Sequence, residues 1–94
     1  MSVFMVTWNL NKERASYDQA RRTLIKHLER YPNVSDSGLE SVRWISSTAA
    51  ASEIYDDLRP KLDDNDRIFV TKVVNGDHQG WLGVEVCDWI TARL

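Results

Sequence analysis

The sequence predicts a single α+β domain in which two helices cover one face of a four-stranded antiparallel sheet. Segments with the two-residue alternation of β-strands are interleaved with two segments whose apolar residues recur every three or four positions, as they do in amphipathic helices. The predicted order is strand, helix, strand, strand, helix, strand. The chain has 94 residues, of which 43% are hydrophobic, and this is enough for one modest hydrophobic core.

The first strand and the helix after it have the clearest patterns. Residues 2–8 place apolar side chains on both faces of a strand, which is typical of a central strand. Ser16 is a suitable N-cap, and a helix is predicted over residues 17–31. Pro32 ends this helix, because the residue before a proline disfavours helical geometry. The apolar stripe of the helix consists of Tyr17, Ala20, Leu24, Leu28 and Tyr31.

The middle of the chain predicts two short strands and a second helix. The strands lie within residues 33–47 and are joined near the turn-forming segment 35–38, or by a tight reversal shortly after it. Hydroxyl side chains at residues 46–48 are suitable N-caps for the helix. Pro60 predicts that its last turn is irregular. The apolar residues that mark this helix are Ile54, Leu58 and Leu62.

The C-terminal third completes the predicted sheet. Residues 67–74 alternate in β-favouring types, and residues 75–77 are a turn signal. The residues that fit a short terminal helix are Val86, Trp89, Ile90 and Leu94. Together the elements predict the ferredoxin-like βαββαβ sandwich with a short C-terminal strand or helix added. The second face of its sheet needs water, a partner or the C-terminal segment, and the chain has more aromatic residues than a wholly solvated face would tolerate.

Composition narrows the classes of protein to which the chain can belong. No apolar run approaches the roughly 20 residues that cross a bilayer, and the N-terminus lacks the basic and apolar regions of a signal peptide, so we expect a cytoplasmic protein without membrane contact. Cys87 is the only cysteine, which excludes an intrachain disulfide. The net charge of −2 argues against nonspecific attraction to phosphate backbones. Residues 1–47 nevertheless carry seven Lys/Arg and five Asp/Glu, so a local basic surface is compatible with this charge.

Sequence signals for catalysis and metal binding are weak. The acidic run at residues 63–66 lacks the spacing and the glycine of a calcium-binding loop, so we expect a solvated loop there. His27 and His78 are far apart in sequence and form no pair with metal-ligand spacing. No nucleotide-binding or nucleophile motif is present. We therefore expect no cofactor.

Basic residues recur along the first predicted helix. Arg22, Lys26 and Arg30 are spaced by four residues and therefore share one face of the helix. Together with Arg14, they form a predicted nucleic-acid-binding surface that could neutralise several phosphates. A solvated helix face, partly balanced by acidic neighbours, is the commoner role of such a run of charges.

Several short segments carry a resemblance to a known family. They are Trp8-Asn9-Leu10-Asn11, Ala51-Ser52-Glu53-Ile54, Leu62-Asp63-Asp64-Asn65-Asp66-Arg67, Trp81 and Asp88-Trp89-Ile90. In these segments the chain resembles a small prokaryotic and phage-borne family of ferredoxin-like proteins, which is related to the CRISPR spacer-acquisition nuclease subunit and to VapD-type toxin ribonucleases. The resemblance spans nearly the whole chain and implies a ferredoxin-like fold and a homodimer.

The same resemblance bears on activity. In nuclease members of that group, an aspartate at the end of the first strand of each subunit positions a divalent metal. The matching residue is Asn9, whose neutral amide lacks the charge that binds a metal and helps to activate water. We therefore predict a non-catalytic homodimeric binding or scaffolding module that associates with nucleic acid or with a nucleic-acid-processing complex.

Two alternative functions stay open at this point. The first is a ribonuclease or deoxyribonuclease that depends on Mg or Mn and uses Asn9 with a nearby acid such as Asp66. The second is an antitoxin or immunity-type partner of another protein.

Overall fold

A computed structural model describes residues 1–12 and 15–94 of the chain. The strands and helices follow the predicted order, with a 3₁₀ helix after the second α-helix and a third α-helix at the C-terminus. In chain order they are β1 (Ser2–Asn9), α1 (Tyr17–Leu28), β2 (Asn33–Val34), β3 (Val42–Ser47), α2 (Ala51–Leu58), the 3₁₀ helix (Arg59–Lys61), β4 (Arg67–Lys72) and α3 (Val84–Ala92).

The four strands form one antiparallel sheet in the order β2-β3-β1-β4. β1 is central, and its residue Phe4 is paired with Ile45 of β3 on one side and with Lys72 of β4 on the other. β1 and β2 point in the same direction with β3 between them, which is the arrangement of the split βαβ unit. The predicted ferredoxin-like α+β fold is therefore confirmed.

The first face of the sheet packs on α1 and α2 and holds the larger core. Alternate residues of β1 point into this core, as the period of a strand requires. Ile45 of β3 joins them from the neighbouring strand. The buried side chains that meet there are Phe4, Val6, Trp8, Leu10, Leu24, Leu28, Ile45, Ile54 and Leu58.

The second face is covered in part by α3. Val3 and Trp44 of the sheet pack there against Val86 and Ile90 of α3, and all four side chains are buried. The C-terminal segment therefore covers part of the second face, as one of the three predicted possibilities, and it does so as a helix rather than a strand. The cover is incomplete, because Phe69 of β4 is 62% exposed.

The boundary of α1 differs from the predicted one. The helix ends at Leu28, three residues before the predicted end at residue 31. The backbone N–H groups of Arg30 and Tyr31 donate to carbonyl groups only three residues back, at N···O distances of 3.3 and 3.0 Å. The chain thus tightens into turns before Pro32, and the regular i to i−4 pattern stops early.

The start of α2 also differs from the prediction, and the predicted hydroxyl N-cap is wrong. The N-cap residue is Ala50, whose N–H donates to Glu53 Oε1 at 3.0 Å. Ser47 Oγ accepts the N–H of Ala49 at 3.0 Å, so this hydroxyl holds the loop before the helix. Pro60 lies in the 3₁₀ helix, which confirms the predicted irregular end.

The α-helices contain twelve, eight and nine residues. Crossing a bilayer requires about 20 predominantly apolar residues. Within residues 1–12 and 15–94, no helix has the length and apolar character that spanning a membrane needs.

Replacement of Ile90 by alanine tests whether α3 is an integral part of the fold. Ile90 is only 5% exposed, so Ile90→Ala should lower the free energy of unfolding by about 2–4 kcal/mol in urea denaturation. Thr91→Ala is the matched control, because Thr91 is exposed on the same helix and should change stability by no more than about 0.5 kcal/mol. Equal effects of the two substitutions would show that α3 does not pack on the sheet.

Candidate functional site

The end of β1 lies beside the start of β4. Asn9 is paired with Arg67 across the two strands, and its side chain is exposed. A shallow depression next to it is lined by Asn9, Leu10, Asn11, Lys12 and Asn65. The two nuclease candidates, Asn9 and Asp66, are therefore located at the same end of neighbouring strands.

Asp66 is a buried acid whose carboxylate holds two loops together. Its side chain is 6% exposed. Oδ1 accepts the backbone N–H of Asn11 at 2.8 Å, and Oδ2 accepts the backbone N–H of Asp63 at 3.0 Å. The hydrogen bond to Oδ1 comes from the segment after β1, and the hydrogen bond to Oδ2 comes from the segment before β4. Because a carboxylate bonded to amides is strongly stabilised in place, this geometry gives Asp66 a clear structural role.

Residues 1–12 and 15–94 contain no group of three or more His, Cys, Asp or Glu side chains that could hold a metal ion.

The predicted basic residues lie on the outer side of α1. Arg22, Lys26 and Arg30 are all exposed, with Arg30 in the turn just after the helix. Arg14 lies outside the described residues. We call Arg22, Lys26 and Arg30 the basic ridge.

The structure adds one cation to the basic ridge. Lys61, from the 3₁₀ helix, lies across an open cleft of about 470 Å³ from Lys26 and Arg30. The cleft is lined by Thr23, Lys26, His27, Glu29, Arg30 and Lys61. No sequence pattern indicates Lys61, because it is 35 positions from Lys26 in the chain and only the packing of the 3₁₀ helix against α1 brings the two together.

The cations of this cleft differ in how far their charges are compensated. Arg30 pairs with Asp57, and Glu29 of the cleft wall pairs with Arg43 at 3.7 Å. Among the described residues, neither Lys26 nor Lys61 forms an ion pair. The two acids are thus engaged by arginines, and the two exposed ammonium groups retain the positive charge of the cleft.

A polar cluster below the cleft joins α1 to α2 through Asp57. The Asp57 carboxylate contacts Arg30 and accepts the hydroxyl hydrogen of Tyr31 at 2.7 Å. The ring of His27 lies with Nε2 3.0 Å from the Asp57 carbonyl oxygen and 3.3 Å from its carboxylate. Nε2 of His27 is therefore directed into the protein, where it links the helices.

The pKa values of the cluster reflect these contacts. Burial and the hydrogen bond to Asp57 raise the pKa of Tyr31 to about 12, so its hydroxyl stays a neutral donor at physiological pH. Partial burial acts to raise the pKa of Asp57, but the Tyr31 hydrogen bond and the charges of Arg30 and His27 together outweigh it and lower that pKa below its usual value. The ionised carboxylate is the form that the cluster stabilises.

Comparisons with known proteins do not assign a family. No protein-family model matches the chain, and no curated protein sequence matches it. The resemblance to relatives of the CRISPR spacer-acquisition nuclease subunit and of VapD-type ribonucleases therefore stays a prediction.

Substitution of Asp66 tests its structural role. Asp66→Asn replaces one acceptor oxygen by an NH₂ group, so one backbone amide loses its partner, and the free energy of unfolding should fall by about 1–3 kcal/mol. Asp64→Asn is the matched control, because the Asp64 side chain is fully exposed and its surface ion pair should contribute less to stability than the buried bonds of Asp66. An Asp66→Asn variant as stable as wild type in urea denaturation would contradict the structural role.

The link between α1 and α2 should depend on pH through Asp57. Because the pKa of Asp57 is lower in the folded protein than its usual value of 3.8, its contribution to stability is present above pH 3.8 and is lost as the pH falls through the folded-state value. At pH 7, Asp57→Asn should therefore be less stable than wild type by about 1–2 kcal/mol, and the difference should shrink in acid.

The control for this measurement is Asp56→Asn, which removes the same charge from an exposed position on the same helix. Denaturation of the three proteins between neutral and acid pH separates a specific link from a general effect of charge. A stability difference between wild type and Asp57→Asn that does not shrink at low pH would contradict the role given to the carboxylate.

Proposed function

We propose that this chain is a non-catalytic, homodimeric binding module of the cytoplasm and that its basic ridge, extended by Lys61, contacts the phosphates of a nucleic acid. The observation that carries the proposal is a pair of ammonium groups, Lys26 and Lys61, which form no ion pair within residues 1–12 and 15–94 and lie on the two sides of one open cleft. The positive charge of this cleft, rather than the net charge of the protein, is what would attract a phosphate.

The distribution of charge supports this function in a protein whose net charge is −2. The acids nearest the cleft, Asp57 and Glu29, are engaged by arginines. Acidic residues 63, 64 and 66 belong to the loop before β4, at the strand ends. A positive surface can therefore face a phosphate chain while the rest of the protein is acidic.

The spacing of the basic ridge also suits a phosphate backbone. Positions four apart in a helix are separated by about 6 Å along its axis, so the basic ridge extends over about 12 Å. Over that length one strand of a duplex presents roughly three to four phosphates. Three cations in a row, with Lys61 beside them, can thus contact successive phosphates without reading base sequence.

Two features of the strand ends favour binding over cleavage. Asn9 presents a neutral amide where the resembling nucleases have an aspartate. Asp66, the nearest candidate acid, accepts two backbone N–H groups. A metal bound by this carboxylate would have to compete with the bonds that hold the two loops, so the geometry supports an associating rather than a hydrolysing protein.

Nucleic-acid binding can be measured by fluorescence anisotropy with labelled single-stranded RNA and duplex DNA at several salt concentrations. The double variant Lys26→Glu/Lys61→Glu should bind at least about tenfold more weakly than wild type. The slope of log affinity against log salt should be shallower by about 1–2, since each lost phosphate contact removes about 0.7–0.9. Arg30 is left unchanged because it also pairs with Asp57.

The matched control is Lys12→Glu/Arg67→Glu, which changes the charge equally at two exposed cations near the end of β1 and the start of β4, away from the cleft. If both double variants bind as wild type does, the basic ridge is a solvated surface and the proposal fails. Cleavage of RNA or DNA that depends on Mg or Mn and is lost in Asn9→Ala would instead support the nuclease alternative.

A further inference from the structure

Trp81 is the most unusual side chain of the structure, because it is 100% exposed. Trp8 and Trp44, by contrast, are 5% and 6% exposed. An indole is among the largest apolar groups in proteins, and interfaces are enriched in tryptophan because burying it contributes strongly to binding. An indole held entirely in water is therefore a candidate anchor for a binding partner.

A largely apolar cleft adjoins this tryptophan on the second face of the sheet. It has a volume of about 450 Å³ and lies between Met5 and Trp44 of the sheet, Ile90 of α3 and Leu82 of the loop before α3. This volume is within the range of about 300–1,000 Å³ typical of pockets that enclose whole ligands. The cleft is therefore large enough to receive an indole.

The loop that bears Trp81 is fixed at both ends. Gly76 has a φ of 79°, a conformation that glycine adopts readily, in the turn where Asp77 N–H donates to the Val74 carbonyl at 3.0 Å. At the other end, Asp36 Oδ2 accepts the Gly83 N–H at 2.7 Å. A partner would meet a preformed cleft, which lowers the entropic cost of binding.

We propose that two copies of this chain dock reciprocally, with Trp81 of each copy inserted in the cleft of the other. This inference rests on the homodimer of the proposed function and names its interface. Gly80 and Leu82, the neighbours of Trp81 in sequence, line the cleft, so Trp81 is at its rim. A twofold axis close to this rim brings each indole to the opposite cleft, as an isologous interface requires.

The exposed apolar area agrees with a second copy as the occupant. Each indole buries about 150–250 Å². Leu39 and Val84, which are 41% and 74% exposed, add apolar area in the segments next to the cleft, toward the roughly 1,200–2,000 Å² of a stable interface.

The test is the oligomeric state of the full chain, measured by sedimentation equilibrium over a range of concentrations. Wild type should be a dimer, and Trp81→Ala should raise its dissociation constant at least about 30-fold. Because Trp81 is fully exposed, this variant should keep the circular dichroism spectrum and the thermal transition of a folded monomer. Tyr55→Ala is the matched control, since it removes another exposed aromatic ring, from α2 on the opposite side of the sheet from the cleft.

A second variant tests the cleft itself. Thr71→Arg places a long charged side chain among the cleft-lining residues and should weaken the dimer while Trp81 is unchanged. If wild type is a dimer and neither Trp81→Ala nor Thr71→Arg raises its dissociation constant, the docking mode is overturned and the homodimer itself is retained. A monomeric wild type overturns the docking mode and the homodimer together, but not nucleic-acid binding, which the anisotropy measurement tests separately.

Discussion

The structure depends on one constraint, which is that the central strand β1 is apolar on both faces and must be covered on both. Phe4 and Val6 lie in the core with α1 and α2, while Val3 lies in the second core with α3. A two-helix sandwich would cover only one of these faces. The short C-terminal helix is thus required by the same alternation that defines the strand, and its nine residues are too few to cover the whole second face. The exposed apolar surface of this protein is a direct consequence.

The link between the helices on the first face determines which charges face outward. Arg30 belongs to the basic ridge, yet its guanidinium contacts Asp57 and its Nε–H donates to the His27 carbonyl at 3.0 Å. It therefore contributes to the packing of α1 on α2 as well as to surface charge. In the part of the chain that the structure describes, Lys26 and Lys61 make no such structural contact. Their side chains keep the conformational freedom of a lysine until a ligand orders them. The entropy lost at that point suits a reversible contact with phosphate.

Local patterns predicted the order of the elements well, and interactions between distant segments account for what they missed. The stripe of α1 and the alternation of β1 depend on neighbours within a few residues, so the sequence displays them directly. The N-cap of α2 was missed because Ala50 has no side-chain acceptor and Glu53 compensates from the first turn. The role of Asp66 depends on amides from two different loops, and the position of Lys61 depends on tertiary packing. The spacing of residue types along the sequence does not show which distant segments come into contact.

The two proposed surfaces lie on opposite sides of the sheet, and this arrangement has a consequence for function. The basic ridge belongs to α1, which covers the first face, whereas Trp81 and its cleft belong to the second face. A dimer formed through the second faces would direct its two basic ridges away from each other and leave both accessible. Under the proposed function, each ridge alone would contact only a few phosphates, so its affinity for nucleic acid would be modest at physiological salt. Joining two of them in one particle would raise the effective concentration of the second ridge once the first is bound, provided that the nucleic acid can reach both sides. Dimerisation through Trp81 would therefore act on nucleic-acid binding through avidity, without placing any residue of the interface in contact with phosphate.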